Sequence, residues 1–321
     1  MERFDMKRRE MLQKSAAFGF LAAMPFSISA AAAGEKESSN SSGGEGTDKA
    51  GAVVNPLKPP AEGSIPVAFL ISDGAVVIDF AGPWEVFGNV MVGKRMDLFH
   101  CYNVAETTKP IRASGGMEIV PNYTLETAPA PKVIVIPAQN DPSKAMLEWV
   151  RKSAKSADVT MSVCTGAFFL AETGLLAGKT ATTHHGELMN LSMKYPDIRV
   201  KRGARFVEDG NLASSGGLSS GIDLAFRVVE RYYGREVAKQ TAFNMEYQGQ
   251  GWMNPDSNAE YAKILRSTAN HLRCAVCGMD VEEADAPKSV YKGKTYHFCS
   301  SGHKEQFDAA PEKIVELLQK Q

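Results

Sequence analysis

The segment 158–185, DVTMSVCTGAFFLAETGLLAGKTATTHH, leaves the chain few ways to fold. Val159–Val163 is an apolar, partly β-branched run of the kind that forms a strand buried on both faces of a parallel sheet. The run breaks at Cys164-Thr165-Gly166, and Ala167-Phe168-Phe169-Leu170-Ala171 continues as a helical pattern. Strand, sharp turn and helix with a nucleophilic residue at the apex make a nucleophile elbow. Ser162 and Gly166, two residues to either side of Cys164, are small enough for strand and helix to approach closely. The sulfur at such an apex faces the first turn of the helix, where free N–H groups and the positive dipole end favour thiolate. A lowered Cys164 pKa is therefore expected, with the Thr165 N–H placed to stabilise an anion on a bound substrate. The competing reading is a buried structural cysteine.

Around the elbow, strand and helix patterns alternate. Pro66-Val67-Ala68-Phe69-Leu70-Ile71 is a continuous apolar run that ends at an Asp73-Gly74 turn. A helix through Trp84-Glu85-Val86-Phe87 follows, with Pro83 near its first turn. Further strands are expected over 98–104, 117–120, 133–136, 179–183 and 205–208, and helices over 142–157, 188–195, 219–233 and 235–244. This order predicts an α/β, flavodoxin-like parallel-sheet sandwich over residues 65–253. Ligands of such sheets sit at the carboxyl ends of strands, where Asp79 and Cys164 both fall.

The 321 residues allow about two domains once a leader is set aside. Residues 1–33 read as that leader: Lys7-Arg8-Arg9-Glu10-Met11-Leu12 is a twin-arginine pattern, a short apolar run follows, and 29–33 offers small-residue cleavage sites. The alternative is an uncleaved N-terminal anchor. A twin-arginine signal implies export of a folded protein, so a periplasmic location is expected. Residues 34–64 are rich in Gly, Ser, Glu, Lys and Pro, lack aromatics, and read as a disordered linker. A net charge of −1 provides no bulk electrostatic draw toward nucleic acid or anionic membrane, so neither is an expected partner.

After a polar connector at 254–270, three of the five cysteines cluster in a terminal module at 271–318. Cys274-x-x-Cys277, a hairpin turned at Lys292-Gly293, then Cys299-x-x-x-His303 opening a helix form a treble-clef-like arrangement. Cys274, Cys277, Cys299 and His303 supply four S/N ligands suited to one tetrahedral zinc or copper ion. So small a module is expected to need its metal to fold. The alternative is a Cys274–Cys277 or Cys277–Cys299 disulfide in an oxidising compartment. Met279 is either a soft extra ligand or core, and His297 is expected to be structural.

The central domain resembles the ThiJ/PfpI superfamily, with its class I glutamine-amidotransferase-like fold. The resemblance rests on FLISDGAVVIDFAGPWEVF, VIVIPA, the elbow segment and SSGGLSSGIDLAFRVVE, and it is nearest to the isonitrile-hydratase-like and AraC-associated subgroups. It implies that Cys164 is the nucleophile, that Asp79 hydrogen-bonds or exchanges protons with it, and that Thr165 takes the position after the nucleophile. In the protease-like branch that position is His, so a protease is disfavoured. His184 and His185 either line the pocket or play a structural part. The resemblance further implies a small-molecule substrate or ligand, a homodimer, and no cofactor in the α/β domain. The terminal module resembles the YHS/TRASH domain through its Cys-Gly-Met element, the Tyr-His-Phe-Cys-Ser run and Phe307…Pro311-Glu312-Lys313, with His303 where Cys is frequent. Three functions stay open: a hydratase or related lyase acting through Cys164, a non-catalytic redox or ligand sensor, and a metal-handling protein.

Overall fold

A computed structural model describes residues 54–263, 267–268, 271–282 and 286–319. The expected leader, residues 34–53 of the linker, and residues 264–266 and 269–270 of the connector lie outside the described residues.

Seven strands form one sheet: β1 (Ile65–Leu70), β2 (Phe99–Ala105), β3 (Tyr123–Thr124), β4 (Val133–Ile136), β5 (Val159–Val163), β6 (Phe206–Asp209) and β7 (Leu212–Ser215). Their spatial order is β6-β7-β5-β4-β1-β2-β3, parallel throughout except for the edge hairpin β6–β7. The sheet alternates its side chains between two cores, as a pleat requires. Val67, Phe69, Val135 and Met161 face one core, while Ala68, Leu70, Ile134 and Ile136 face the other. Helices α1 (Val77–Gly88), α5 (Ser220–Tyr233) and α6 (Arg235–Asn244) cover the first face. Helices α2 (Lys144–Ser153), α3 (Gly166–Glu172) and α4 (Leu188–Lys194) cover the second. Burying a side chain such as Phe69 or Leu70 completely stabilises the sandwich by roughly 1.5–3 kcal/mol each.

The expected strands at 117–120 and 179–183 shrink to two-residue pairings outside this sheet, Glu118–Ile119 and Thr180–Ala181. The place beside β5 is taken instead by β7, whose Leu-Ala-Ser-Ser sequence carries no strong strand signal. The last part of the stretch read as linker is held against the domain. The guanidinium of Arg227 donates to the Val54 carbonyl (2.7 Å), that of Arg231 to Asn55 (2.8 Å), and the Leu57 N–H to the Arg231 carbonyl (2.7 Å).

The terminal module contains hairpin β8 (Lys288–Tyr291) and β9 (Lys294–His297), then α7 (Ser301–Ala309) and α8 (Pro311–Gln319). The hairpin turns at Lys292 and Gly293, both at positive φ (50° and 76°), as a two-residue turn between twisted strands requires. Its core of Val276, Phe298, Phe307 and Ile314 takes in Met189 from α4. Thus α4 packs Leu191 into the sandwich and Met189 into the module.

Candidate functional site

The elbow forms where β5 leaves the sheet. Cys164 lies at φ 57°, a left-handed conformation that costs a non-glycine residue of order 1–3 kcal/mol and marks a constrained site. Gly166 is required there: a Cβ would sit 2.3 Å from the Ile136 carbonyl oxygen, on the neighbouring strand. The Cys164 N–H donates to the Gly216 carbonyl (3.1 Å), and the Thr183 hydroxyl donates to the Cys164 carbonyl (2.8 Å). Both backbone groups of the strained residue are thereby held.

The thiol is buried, 8% exposed, with two backbone N–H groups, from Thr165 and Leu218, directed at its sulfur. These donors do not win. Burial and the nearby Asp79 carboxylate push the Cys164 thiol up to about 11, so the expected low-pKa thiolate is corrected to a resting thiol. The helix it opens has only seven residues, and its dipole is correspondingly limited. The Thr165 side chain makes no capping hydrogen bond; what it offers the site is its backbone N–H.

Asp79, in the first turn of α1, is fully buried. Its Oδ2 accepts from the Ala138 N–H (3.1 Å), while Oδ1 has no hydrogen-bond partner among the described residues. Burial pushes its pKa up to about 7, against that hydrogen bond. The pair is therefore a buried thiol beside a carboxyl poised between its two protonation states near pH 7.

A cavity of about 170 Å³ lies behind the residues that hold the elbow, lined by Thr183, His184, Arg205, Gly217, Leu218 and Tyr261 among others; Cys164, Thr165 and Asp79 are not in its wall. His184 and His185 both line it, their rings 4.2 Å apart, and burial pushes the His184 pKa down. His184 also accepts from the Gly186 N–H (3.2 Å), so it serves the wall and the turn together. His185 and Tyr261 are shared with a second cavity, of about 430 Å³, which reaches Cys277.

In the terminal module the Ser300 hydroxyl caps α7 by accepting from the His303 N–H (3.2 Å), which seats His303 in the first turn beside Cys299. The Cys274–Cys277 knuckle closes through the Gly278 N–H to the Cys274 carbonyl (2.9 Å), with Gly278 at φ 76°. The Ala275 N–H then donates to the His297 carbonyl (3.0 Å), tying the knuckle to β9. All four ligand atoms lie within 4.8 Å of one another. The contacts include Cys299 Sγ to His303 Nδ1 at 3.1 Å, Cys274 Sγ to the same nitrogen at 3.5 Å, and Cys277 Sγ to Cys299 Sγ at 3.6 Å. A tetrahedron with sulfur arms of roughly 2.3 Å and a nitrogen arm of roughly 2.0 Å has edges of roughly 3.5–3.8 Å, so the cluster fits such an ion. All five cysteines are free, which sets the disulfide alternative aside in this structure. Met279 is 61% exposed and so is not core.

The DJ-1/PfpI family model matches residues 66–231, just over half of the chain, and the YHS domain model matches 275–317. The chain belongs to the DJ-1/PfpI family. Isonitrile hydratase of Pseudomonas putida is 29% identical over 194 residues, covering 57% of this chain and 79% of that protein. The HTH-type transcriptional regulator CdhR of Pseudomonas aeruginosa is 27% identical over 180 residues, and the match spans only 52% of its length. Among solved structures, a THiJ/PfpI family protein from Pseudomonas syringae superposes with a TM-score of 0.53 at 27% identity, covering 60% of this chain and 79% of that one. Drosophila melanogaster DJ-1beta, at TM-score 0.51 and 17% identity over 58% of this chain and all of its own, shares the fold.

In this DJ-1/PfpI chain, Cys164, Asp79 and Thr165 meet at one point, and the four YHS-module ligands meet at another. Reading the sequence missed three contributors. Leu218 (φ 48°) provides an N–H to the sulfur, and the Gly216-Gly217 doublet before α5 was its only signal. Arg205 lines the cavity while its Nε donates to Asp223 Oδ2 (2.6 Å). Glu187, whose charge also raises the Cys164 thiol, is brought there by the fold alone.

Proposed function

We propose that this protein is a Cys164-dependent enzyme that hydrates isonitriles or similarly small electrophiles, exported to the periplasm and working as a homodimer. The observation that carries the reading is the pairing of a strained, buried thiol with a buried carboxyl held near pH 7, a value suited to moving protons at neutral pH. The likeness to isonitrile hydratase over 194 residues supports the substrate class.

For an isonitrile, Cys164 Sγ bonds to the terminal carbon while Asp79 takes the thiol proton and passes it to that carbon, giving a thioimidate. Water adds to the C=N carbon. The C–S bond then breaks, the proton returns to sulfur, and an N-substituted formamide leaves. The N–H groups of Thr165 and Leu218 hold charge on the sulfur as it forms and departs.

The Cys274, Cys277, Cys299 and His303 set would hold zinc or copper, a choice that three thiolates and one imidazole leave to metal supply. The exposure of Cys299 favours a second reading, in which the module exchanges metal with partners and the α/β domain is its carrier. The test is to incubate the full chain with a simple alkyl isonitrile and follow the N-formamide. Turnover lost in Cys164→Ala supports the enzyme. Turnover intact in that variant removes the covalent route, and none in the wild type, with one metal held per chain, leaves the second reading.

A further inference from the structure

His303 divides its two ring nitrogens between the two domains. Nδ1 turns inward, 3.1 Å from Cys299 Sγ and 3.5 Å from Cys274 Sγ. Nε2 turns outward and lies 3.4 Å from the amide nitrogen of Asn190, on α4 of the α/β domain. That amide nitrogen donates to Glu187 Oε2 at 2.6 Å, and the amide oxygen, Oδ1, is buried with no hydrogen-bond partner among the described residues. A buried, unpaired acceptor costs about 1–3 kcal/mol and calls for an explanation.

Metal ligation provides one. When Nδ1 gives its lone pair to a metal, Nε2 carries the ring proton and becomes a donor in need of an acceptor. The outward nitrogen of a ligating histidine is ordinarily held in this way, and the holding group fixes the tautomer and the ring plane. Without metal the Asn190 NH₂ faces both Glu187 Oε2 and His303 Nε2; once Nε2 carries the ring proton, a turn of the amide that brings Oδ1 onto it lets Asn190 accept from His303 while an N–H stays on the Glu187 carboxylate.

We propose that Asn190, backed by Glu187, is a positioning residue for the metal ligand His303, so that the metal site is completed by the α/β domain. Metal affinity of the module then depends on a side chain outside it. Met189, one residue earlier on α4, is buried in the module's core beside Cys274, so the helix is already seated where this contact needs it. The inference rests on the metal-site reading.

The experiment measures zinc affinity of the full chain by chelator competition, and the visible spectrum of the cobalt-loaded chain, which reports ligand geometry. Asn190→Leu, similar in size and without the amide, is expected to weaken zinc about ten-fold or more and to shift the cobalt bands. Asn190→Asp alone sets a carboxylate against Glu187 and weakens binding similarly. The swap Glu187→Gln with Asn190→Asp rebuilds donor and acceptor in reverse order and recovers most of the affinity. Gln306→Ala removes a different contact with α4, that of its amide with Met193 Sδ (3.5 Å), and stays within about two-fold of wild type. Affinity and spectrum unchanged in Asn190→Leu overturn the inference, as does an equal loss in Gln306→Ala or a swap that recovers nothing. A wild-type chain that binds no metal removes the site itself, which is a distinct result.

Discussion

Cys164 and Cys274 are both buried, yet their neighbours drive the two thiols in opposite directions. At the elbow, loss of water and the Asp79 carboxylate outweigh two backbone N–H donors, and the thiol is pushed up to about 11. In the terminal module the Cys277 thiol donates to Cys274 and backbone N–H groups add to it, so Cys274 is held down despite its burial. Cys277, as the donor, is raised in turn. The first environment keeps a proton in reserve for a partner acid. The second has a thiolate ready, as a metal ligand requires. Burial sets the sign at Cys164; at Cys274 the donors that point at the sulfur overturn it.

The largest effect expected from breaking this contrast is at the elbow. Cys164→Ala is predicted to lower isonitrile turnover by about a thousand-fold or more, measured as formamide production, while one metal per chain is retained by elemental analysis. Cys274→Ser should do the reverse: metal falls from one per chain to none and the module's hairpin amides lose hydrogen-exchange protection, while turnover at Cys164 persists.

Next in size is the effect of pH on stability. The Asp79 pKa is raised from 3.8 in the unfolded chain to about 7 in the fold, so between those values the unfolded state releases its proton first. Stability is therefore fullest below pH 3.8 and falls as pH rises to about 7, by about 4 kcal/mol for this group. Asp79→Asn should flatten that slope in denaturant titrations between pH 5 and about 8, and should abolish a rise of kcat/KM through about pH 7. Gly166→Ala, which drives a Cβ against the Ile136 carbonyl, should cost roughly 3 kcal/mol in the same titrations.

The smallest effect sharpens the role of Thr165. Because its backbone N–H is what faces the sulfur, Thr165→Ala should change turnover by only about two- to five-fold. A loss near that of Cys164→Ala would assign the hydroxyl a part in the chemistry.

Local pattern made much of this legible. β4 at Val133–Ile136 and α6 at Arg235–Asn244 have the bounds expected from apolar runs and helical spacing, and the CxxC…CxxxH spacing brought four ligands together. β7 was missed because Leu-Ala-Ser-Ser takes its place in the sheet from pairing with Thr160 through Val163, a contact no local propensity encodes. The thiolate expectation failed for a similar reason. It counted the N–H groups of the next helix, which are local, and not Asp79, which lies 85 residues earlier in the chain.

The sequence by itself determined the elements and the chemical types: a cysteine at an elbow, an acid at the start of a helix, three thiols and an imidazole at ligand spacing. These follow from side-chain size and periodicity over a few residues. Only the tertiary structure decided which proton sits where and which domain touches which ligand. Protonation depends on charge and water within a few ångströms, and the Glu187–Asn190–His303 contact joins residues more than a hundred positions apart.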